Sequence, residues 1–348
     1  VRPYFNDGGK LHALHSVFEG IESFLLVSNS TSKSGVSIHD AIDSKRIMSM
    51  VVIALIPATL FGMYNIGYQN YVAAGCIASS NVIDLFTYGF LSLLPKIIVS
   101  YLVGLGIEFI VAQYKKEEIQ EGYLVTGLII PLILPINCPL WMMALAVAFA
   151  VIFAKEIFGG TGMNIFNVAL IARAFLFFSY SGKMTGDEIW VAKESIFGLG
   201  NNLPEAFTMA TPLALGSEQS TRISDMIIGL IPGSVGETSV IAIAIGGIIL
   251  LWTGIASWKT MSSVFVGGAL TAYIFNLTGQ SALPWYEHLI LGGFCFGAVF
   301  MATDPVTSAR TEGGKYIYGF LIGVIAIIVR VLNPGYPEGM MLAVLFMN

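Results

Sequence analysis

Charged residues are scarce in this sequence. Only 11% of its 348 residues are Asp, Glu, Lys or Arg and 55% are hydrophobic, whereas an ordinary soluble domain has about 25% charged residues. This shortage excludes most soluble folds. It also leaves no basic patch for nucleic acid, so no nucleic-acid partner is expected. The net charge of -5 says little, because the informative statistic in a membrane protein is where Lys and Arg lie between spans.

Clustered metal ligands are also missing. The three cysteines, Cys76, Cys138 and Cys295, are far apart and form no Cys-x-x-Cys pair, so neighbouring ligands cannot build an iron–sulfur cluster or a zinc site. Three of the four histidines precede the first apolar run, and His288 stands alone. We therefore predict no metal site. Any redox role requires an organic cofactor or a metal on a partner protein.

Long apolar runs, by contrast, recur along the whole chain. We predict an all-α polytopic membrane protein of about ten transmembrane helices, which can be arranged as two inverted halves of five helices. The predicted spans cover 47–67, 88–114, 121–136, 139–156, 164–181, 238–257, 259–277, 285–303, 315–332 and 339 onward. The third is short and contains Pro131 and Pro135, so a broken or tilted helix is expected there.

Residues 1–44 precede the first span, and 45–348 form the predicted transmembrane domain. Apolar residues recur at helical spacing in the N-terminal segment, at Leu11, Leu14, Phe18, Ile21 and Leu25. This pattern predicts an amphipathic helix that lies on the cytoplasmic membrane surface or on a partner.

The basic residues favour one orientation. When the predicted spans are drawn in order, one side receives Lys45, Arg46, Lys115, Lys116, Lys155, Lys259, Arg310 and Lys315. By the positive-inside rule that side and the N-terminus are cytoplasmic. The one long loop on the opposite side covers about 182–237, and a connection of that length is a functional candidate.

A threonine-containing segment lies in this long loop. Its sequence is Phe207-Thr208-Met209-Ala210-Thr211-Pro212-Leu213. Turn chemistry alone predicts a turn before a proline. The segment also resembles the Ser/Thr-x-Ala-Thr flavinylation motif, in which the last threonine is esterified to the phosphate of FMN. This resemblance makes Thr211 the candidate attachment residue for covalent FMN.

Two further segments give this interpretation its context. The first is Lys155-Glu156-Ile157-Phe158-Gly159-Gly160-Thr161-Gly162-Met163-Asn164-Ile165-Phe166-Asn167, and the second is Phe300-Met301-Ala302-Thr303-Asp304-Pro305-Val306-Thr307. Both resemble signatures of the B subunit of the sodium-translocating NADH:quinone oxidoreductase, and the related D subunit of the Rnf complexes shares both patterns. The resemblance extends from about Asp43 to Asn348, and the amphipathic N-terminal stretch favours the quinone reductase protein over the Rnf one.

The resemblance implies a flavin-carrying membrane subunit of a redox-driven sodium pump, which is a translocase. Its cofactors would be covalent FMN on Thr211, noncovalent riboflavin and ubiquinone, with the sodium ion as the transported species. Its partners would be membrane lipid and the other subunits of the complex, including one that bears FMN and one that oxidises NADH with flavin and iron–sulfur centres. Its location would be the bacterial inner membrane, with the 182–237 loop in the periplasm.

The glycine-rich segment before the fifth span is the candidate riboflavin site. Gly160 and its neighbouring glycines let a backbone or a ring approach closely. The amides of Asn164 and Asn167 are predicted to offer donors and acceptors one helical turn apart. The resemblance assigns these two asparagines as riboflavin ligands. Helix capping is the alternative, because asparagine is a common N-cap.

Two charged residues near this segment are further candidates, since charge is costly inside a membrane. Arg173, in the fifth span, lies in the expected flavin vicinity and could steady an anionic flavin or phosphate. Its alternative is an ion pair with an acid such as Glu156 or Asp304. Asp304 is a candidate for the sodium route, and its alternative is to cap a turn.

The second span contains the candidate quinone site. The resemblance places the quinone headgroup at Gly104, Leu105 and Glu108, with small residues making the space. Family members typically have adjacent glycines where this chain has Gly104-Leu105-Gly106, which puts the pocket shape in doubt. Paired glycines equally indicate close helix packing. Glu108 is also a candidate for the sodium route, and its alternative is a pairing with Lys115 or Lys116.

Two other functions stay open at this point. An Rnf-type D subunit would perform the same flavin chemistry with ferredoxin and NAD as partners of its complex. A small-solute channel or transporter would have a similar helical bundle and carry no flavin. The sequence has no Gly-x-Gly-x-x-Gly fingerprint at a strand-to-helix turn, so the chain is not expected to bind NADH itself.

Overall fold

The computed structural model describes residues 44–115, 122–205, 207–216, 221–333 and 339–348. Within these ranges the chain forms helices and no strand, and one isolated antiparallel bridge joins Ile196 to Leu199. The predicted amphipathic helix before residue 44 lies outside the described residues, as does Lys116.

Five helical regions precede the long connection. They are α1 (Ser44–Ala73), α2 (Val82–Lys115), α3 (Tyr123–Ile133), α4 (Leu140–Ala150) and α5 (Val168–Ser179). The end of α4 continues as a π-helix over Val151–Lys155 and a 3-10 turn over Glu156–Phe158. Among its described residues the connection contains two short α-helices, α6 (Pro212–Leu215) and α7 (Ile223–Ile228).

The second half follows this connection. Its helices are α8 (Val240–Trp252), α9 (Trp258–Leu277), α10 (Trp285–Ile290), α11 (Phe294–Phe296), α12 (Glu312–Leu332) and α13 (Met340–Met347), and a π-helix over Gly297–Met301 extends α11.

Helical regions occur at every predicted span. Those long and apolar enough to cross a membrane are Arg46–Ala73, Val82–Lys115, Leu140–Phe158, Trp258–Leu277 and Glu312–Leu332. The helices α3, α5 and α8 are apolar but shorter. The all-helical polytopic architecture is therefore confirmed, whereas the count of about ten crossings and the inverted arrangement of two halves stay predictions.

Two of the predicted spans are interrupted. The helix α3 ends at Ile133, and Leu134 is extended with a ψ of 151°, so the short third span is confirmed. The continuous helix predicted over 285–303 is wrong, because Leu291 and the two glycines after it separate α10 from α11. Gly292 and Gly293 have φ values of 63° and 70°, a left-handed conformation that suits glycine.

A buried cation contacts the carbonyl groups at each interruption. The Nζ of Lys96 in α2 donates to the carbonyls of Pro135 (3.0 Å), Ile136 and Cys138 (3.1 Å). The guanidinium of Arg330 in α12 donates to the carbonyls of His288, Leu291 (3.2 Å) and Gly292 (3.2 Å). The C-terminus of a helix exposes unpaired carbonyls with partial negative charge. These cations therefore stabilise the backbone at and just after the helix ends, which lipid could not hydrogen-bond.

The helices α9 and α12 lie parallel and in close contact. A Cβ on Gly267 would lie 2.3 Å from the carbonyl oxygen of Phe320, and one on Gly323 would lie 2.2 Å from that of Val264. Glycine at both positions lets the two backbones approach, as is common between membrane helices. The first turns of both helices therefore lie side by side.

Polar side chains attach the 182–237 connection to the helices. Asn70 in α1 donates to the carbonyls of Ala192 (2.9 Å) and Asn201 (3.0 Å). Asn137, after α3, donates from its side chain to the carbonyls of Glu188 (2.9 Å) and Val191 (2.7 Å). These bonds fix the part of the connection that leads into Thr211.

Candidate functional sites

The two signature segments form walls of one pocket, here called the inner pocket. Its lining includes Lys155, Thr161, Asn164 and Asn167 from the first segment, and Phe300 and residues 303–306 from the second. The Nδ2 of Asn167 donates to the Oδ2 of Asp304 at 3.4 Å. This bond joins the two segments directly, so the sequence motifs meet in space.

The two asparagines lie in a turn and not in a helix. The fifth span begins at Val168 and not at 164, and Asn167 is its N-cap, with Oδ1 accepting from the backbone N–H of Ala169 (3.1 Å) and Leu170 (3.3 Å). The Nδ2 of Asn164 donates to the carbonyl of Phe166 at 3.1 Å. The expected spacing of one helical turn is therefore wrong, and the capping role of Asn167 is confirmed. Both side chains nevertheless line the inner pocket.

Asp304 caps a turn next to Asn167 in the inner pocket. Its Oδ1 accepts from the backbone N–H of Val306 (3.2 Å), and its Oδ2 accepts from the hydroxyl of Thr307 (3.0 Å). Burial raises the pKa of the Asp304 carboxyl above its ordinary value, and these hydrogen bonds oppose that change. A partly buried carboxyl at a pocket wall can hold a proton or contact a cation.

The inner pocket offers polar groups but little free space. The hydroxyl oxygen of Thr161 is buried and has no hydrogen-bond partner within the described chain. Two amides, this hydroxyl and the Lys155 ammonium fit the polar edge of an isoalloxazine ring. The cavity volume is about 60 Å³, whereas small-molecule pockets usually measure about 300–1,000 Å³. A bound flavin ring therefore requires the walls to move apart.

Gly160 shapes the turn before this pocket. It has a φ of 92°, and its N–H donates to the carbonyl of Lys155 at 3.0 Å. A left-handed residue at this point favours glycine. It directly precedes Thr161 and lies four residues before Asn164. Its backbone conformation therefore helps to position these two pocket residues.

Lys155 and Glu108 form a buried ion pair beside the inner pocket. The Nζ of Lys155 donates to the Oε1 of Glu108, and each side chain is only 5% exposed. Lys115, the alternative partner of Glu108, instead pairs with Glu156, with 3.7 Å between the Lys115 Nζ and the Glu156 Oε2. Lys155 has no predicted role of its own in the sequence, although an acid inside an apolar span requires a cation from another helix.

The three candidate quinone residues, Gly104, Leu105 and Glu108, lie on α2. Gly104 faces Tyr123, and a Cβ on Gly104 would lie 1.9 Å from the Cζ atom of that ring. Tyr123 is fully buried, and its hydroxyl donates to the carbonyl of Ser100 at 3.0 Å. Leu105 is partly buried and packs against the hydrophobic core. The close packing considered for Gly104 is therefore observed, and its role in quinone binding stays a prediction.

Gly104→Val is expected to destabilise the chain, whereas Gly106→Val is the matched control. No heavy atom lies within 4 Å of a Cβ built on Gly106. Overpacking a buried site typically costs about 1–3 kcal/mol, so the thermal midpoint in detergent should fall for Gly104→Val alone. Equal midpoints for the two variants would contradict this packing.

Thr211 lies at the edge of a second depression, here called the outer groove. It is the N-cap of α6, and its Oγ1 accepts from the backbone N–H of Ala214 at 3.2 Å. The residue is half-buried and lines the groove. The groove is lined by Trp190, Thr211–Leu213, 231–234, Glu237, Thr238 and 291–293.

The polar groups of the outer groove fit a phosphate ester on Thr211. The hydroxyl of Ser234 is buried there and has no hydrogen-bond partner within the described ranges. The groove is shallow, with about 30 Å³ of enclosed space. A group attached to Thr211 would therefore lie over it, partly exposed, with Ser234 available as a donor.

Arg173 forms an ion pair with Glu237, a buried acid that lines the outer groove. Its Nη1 donates to the Oε1 of Glu237 at 2.9 Å, and the two side chains are 6% and 8% exposed. The alternative of an ion pair with an acid is therefore confirmed, although the acid is Glu237 and not one of the two examples, Glu156 and Asp304. Glu237 is not among the residues predicted from the sequence, where its position next to the predicted span 238–257 is its only signal.

The chain is similar to known proteins along almost its whole length. Residues 31–348 match the model of the NQR2, RnfD, RnfE family. The B subunit of the Na(+)-translocating NADH-quinone reductase of Chromohalobacter salexigens is 42% identical over 373 residues, which cover 100% of this chain and 90% of that protein. The proteins with the same name from Azotobacter vinelandii (39% over 372 residues, 99% and 91% covered) and Klebsiella pneumoniae (38% over 392 residues, 100% and 92% covered) are also similar.

Proposed function

The chain belongs to the NQR2, RnfD, RnfE family, and on that basis we propose that it is a membrane subunit of a redox-driven sodium pump that reduces quinone with electrons from NADH. Similarity over nearly its full length to proteins of that name carries the proposal. Its apolar helices support a multi-pass membrane subunit. The other subunits of the complex, including those that oxidise NADH and bear FMN, are its proposed partners.

We place covalent FMN on Thr211. Support comes from its half-exposed hydroxyl, held by the N-cap geometry at the edge of the outer groove. FMN would supply reversible electron transfer at this point. Glu237, which lines the groove, forms a buried ion pair with Arg173. This pair would balance a change in the charge of the flavin without leaving an unpaired buried ion.

We place noncovalent riboflavin in the inner pocket. Asn164 and Asn167 supply amide groups, Thr161 supplies an unpaired hydroxyl, and Lys155 supplies a cation. The cation is held by Glu108, so its position is fixed before a flavin binds. A flavin here would supply a second redox centre.

The helix α5 connects these two proposed sites. Asn167 caps its first turn at the inner pocket, and Arg173 contacts the acid that lines the outer groove. Six residues of helix rise about 9 Å. With the inner pocket on the cytoplasmic half and the 182–237 connection on the outer side, electrons would cross the membrane between the two flavins.

We propose that quinone binds near Gly104, Leu105 and Glu108, and that sodium passes the carboxylates of Glu108 and Asp304. Both carboxylates adjoin the inner pocket, because Asp304 lines it and Glu108 holds the Lys155 that lines it. Moving one charge against 100 mV costs about 2.3 kcal/mol. Placing the carboxylates beside a redox centre would let electron arrival change their affinity for a cation.

Purification of the complex that contains this chain tests the proposed function. A denaturing gel viewed under ultraviolet light should show a fluorescent band of covalent flavin, and NADH-driven quinone reduction should depend on sodium. A dark band supports a channel or transporter without flavin. A fluorescent band with ferredoxin:NAD activity and no quinone reduction supports the Rnf-type function.

We expect Asn164→Leu/Asn167→Ser to lose riboflavin and to keep covalent FMN. Serine preserves the N-cap of α5, so the helix still begins at Val168 while both amide groups are lost. Each unmade hydrogen bond to a buried flavin group costs about 1–3 kcal/mol. Acid extraction followed by chromatography measures riboflavin, and the covalent band on the same sample is the control. Stoichiometric riboflavin in the variant would move this site elsewhere.

A further inference from the structure

A recess of about 710 Å³ opens where α9 and α12 begin. It is lined by the basic residues Lys259, Arg310 and Lys315 and by Trp258. It adjoins the inner pocket, since residues 255–256 line both. Neither of the proposed flavin sites uses its basic residues.

The charge of this recess is positive. Among the described residues that line it, Glu312 is the one acid, and it accepts from the Nζ of Lys315 at 2.8 Å and from the Nζ of Lys259. Arg310 is exposed and forms no ion pair within the described ranges. Three basic side chains against one acid leave a local excess of about two positive charges, which favours an anionic ligand.

Two helix N-termini add to this positive potential. The parallel helices α9 and α12 have 20 and 21 residues, so each carries a substantial dipole. Their N-caps, Ser257 and Thr311, accept from the N–H groups of Thr260 (3.5 Å) and Gly314 (3.2 Å). The other N–H groups of the first turns are directed toward the same end, where they attract anions.

The surroundings place the recess at the level of lipid headgroups. Trp258 is 59% exposed and Tyr316 is 42% exposed, and their rings meet edge to face with centroids 6.4 Å apart. Tryptophan and tyrosine concentrate at the boundary between hydrocarbon and water. The neighbouring Ile317 is 64% exposed, so an apolar surface continues from the aromatic pair along α12.

We propose that this recess binds the phosphate headgroup of an anionic phospholipid from the cytoplasmic leaflet. The excess positive charge and the two helix N-termini bind the phosphate, while acyl chains follow the apolar surface beside Tyr316 and Ile317. A zwitterionic lipid fits less well, because the carboxylate of Glu312 already accepts from two lysines and is not free for a cationic headgroup. Basic pockets on the cytoplasmic side are typical sites for such lipids.

Photo-crosslinking in the assembled complex tests this site. The complex is placed in nanodiscs of phosphatidylcholine that contain photoreactive phosphatidylglycerol or, in a matched sample, photoreactive phosphatidylcholine. Peptide mass mapping should locate phosphatidylglycerol adducts on residues 251–258 and 308–317, well above those of phosphatidylcholine. In Arg310→Gln/Lys315→Gln the apparent affinity for phosphatidylglycerol should fall about 25-fold, since each of the two removed charges contributes roughly a factor of five.

Lys183→Gln is the matched control, because Lys183 is exposed and lies in the opposite-side connection. It should leave the adducts unchanged. Equal labelling by the two lipids, or labelling that survives in the double variant, would overturn the proposal. Loss of labelling on addition of inorganic phosphate would also overturn it, because the recess would then be a site for a soluble anion.

Discussion

Thr211→Asn is expected to remove covalent FMN completely while the chain stays folded. Asparagine is among the best N-caps, so it can replace the Oγ1 that accepts from Ala214 at the start of α6. It has no hydroxyl, and a phosphoester cannot form without one. Intact-protein mass should show one FMN-sized adduct on the wild type and none on this variant, and sodium-dependent quinone reduction should be lost.

Two further variants separate attachment from folding. Thr208→Ser should keep the adduct, because the flavinylation motif accepts either residue at its first position. Thr211→Val should lose it, with the additional loss of the N-cap, which costs about 1 kcal/mol. Expression requires a host that contains the flavin transferase. An adduct on Thr211→Asn, or one that maps by peptide mass to another residue, would contradict the assignment of Thr211.

The helical architecture could be predicted because membrane spans have a strong compositional signal. The interruption in the eighth span was missed because hydropathy does not respond to backbone conformation. Gly292-Gly293 within that apolar run was the available sign, since adjacent glycines permit the left-handed φ values found there. At α3 the prolines gave a clearer signal, because proline removes a backbone donor.

The candidate sites, too, could be predicted from the sequence only in part. The segments that contain Asn164 and Asp304 were selected by resemblance, and they do meet at the inner pocket. Ion-pair partners could not be predicted, because Glu108 pairs with a residue 47 positions away and Arg173 with one 64 positions away. Charge composition names the candidates for such pairs, whereas helix packing decides which of them meet.

The buried pair of Lys155 and Glu108 therefore gives the second large expected effect. Lys155→Met leaves the Glu108 carboxylate buried, and its Oε2 already has no hydrogen-bond partner among the described residues. Removing one member of a buried pair costs about 3–5 kcal/mol. The thermal midpoint of the purified chain in detergent should fall strongly in this variant, and unfolding by denaturant should begin at lower concentration.

Lys155→Met/Glu108→Gln should recover most of that stability, because a neutral amide no longer requires a buried counter-ion and replacement of both charges is often nearly neutral. The exposed pair of Lys259 and Glu312 is the matched control. Its side chains are 28% and 64% exposed, so water screens the charges and Glu312→Gln should change the midpoint only slightly. Additive losses in the double variant of the buried pair would contradict this account, since they would mean that the two side chains stabilise the fold independently of each other.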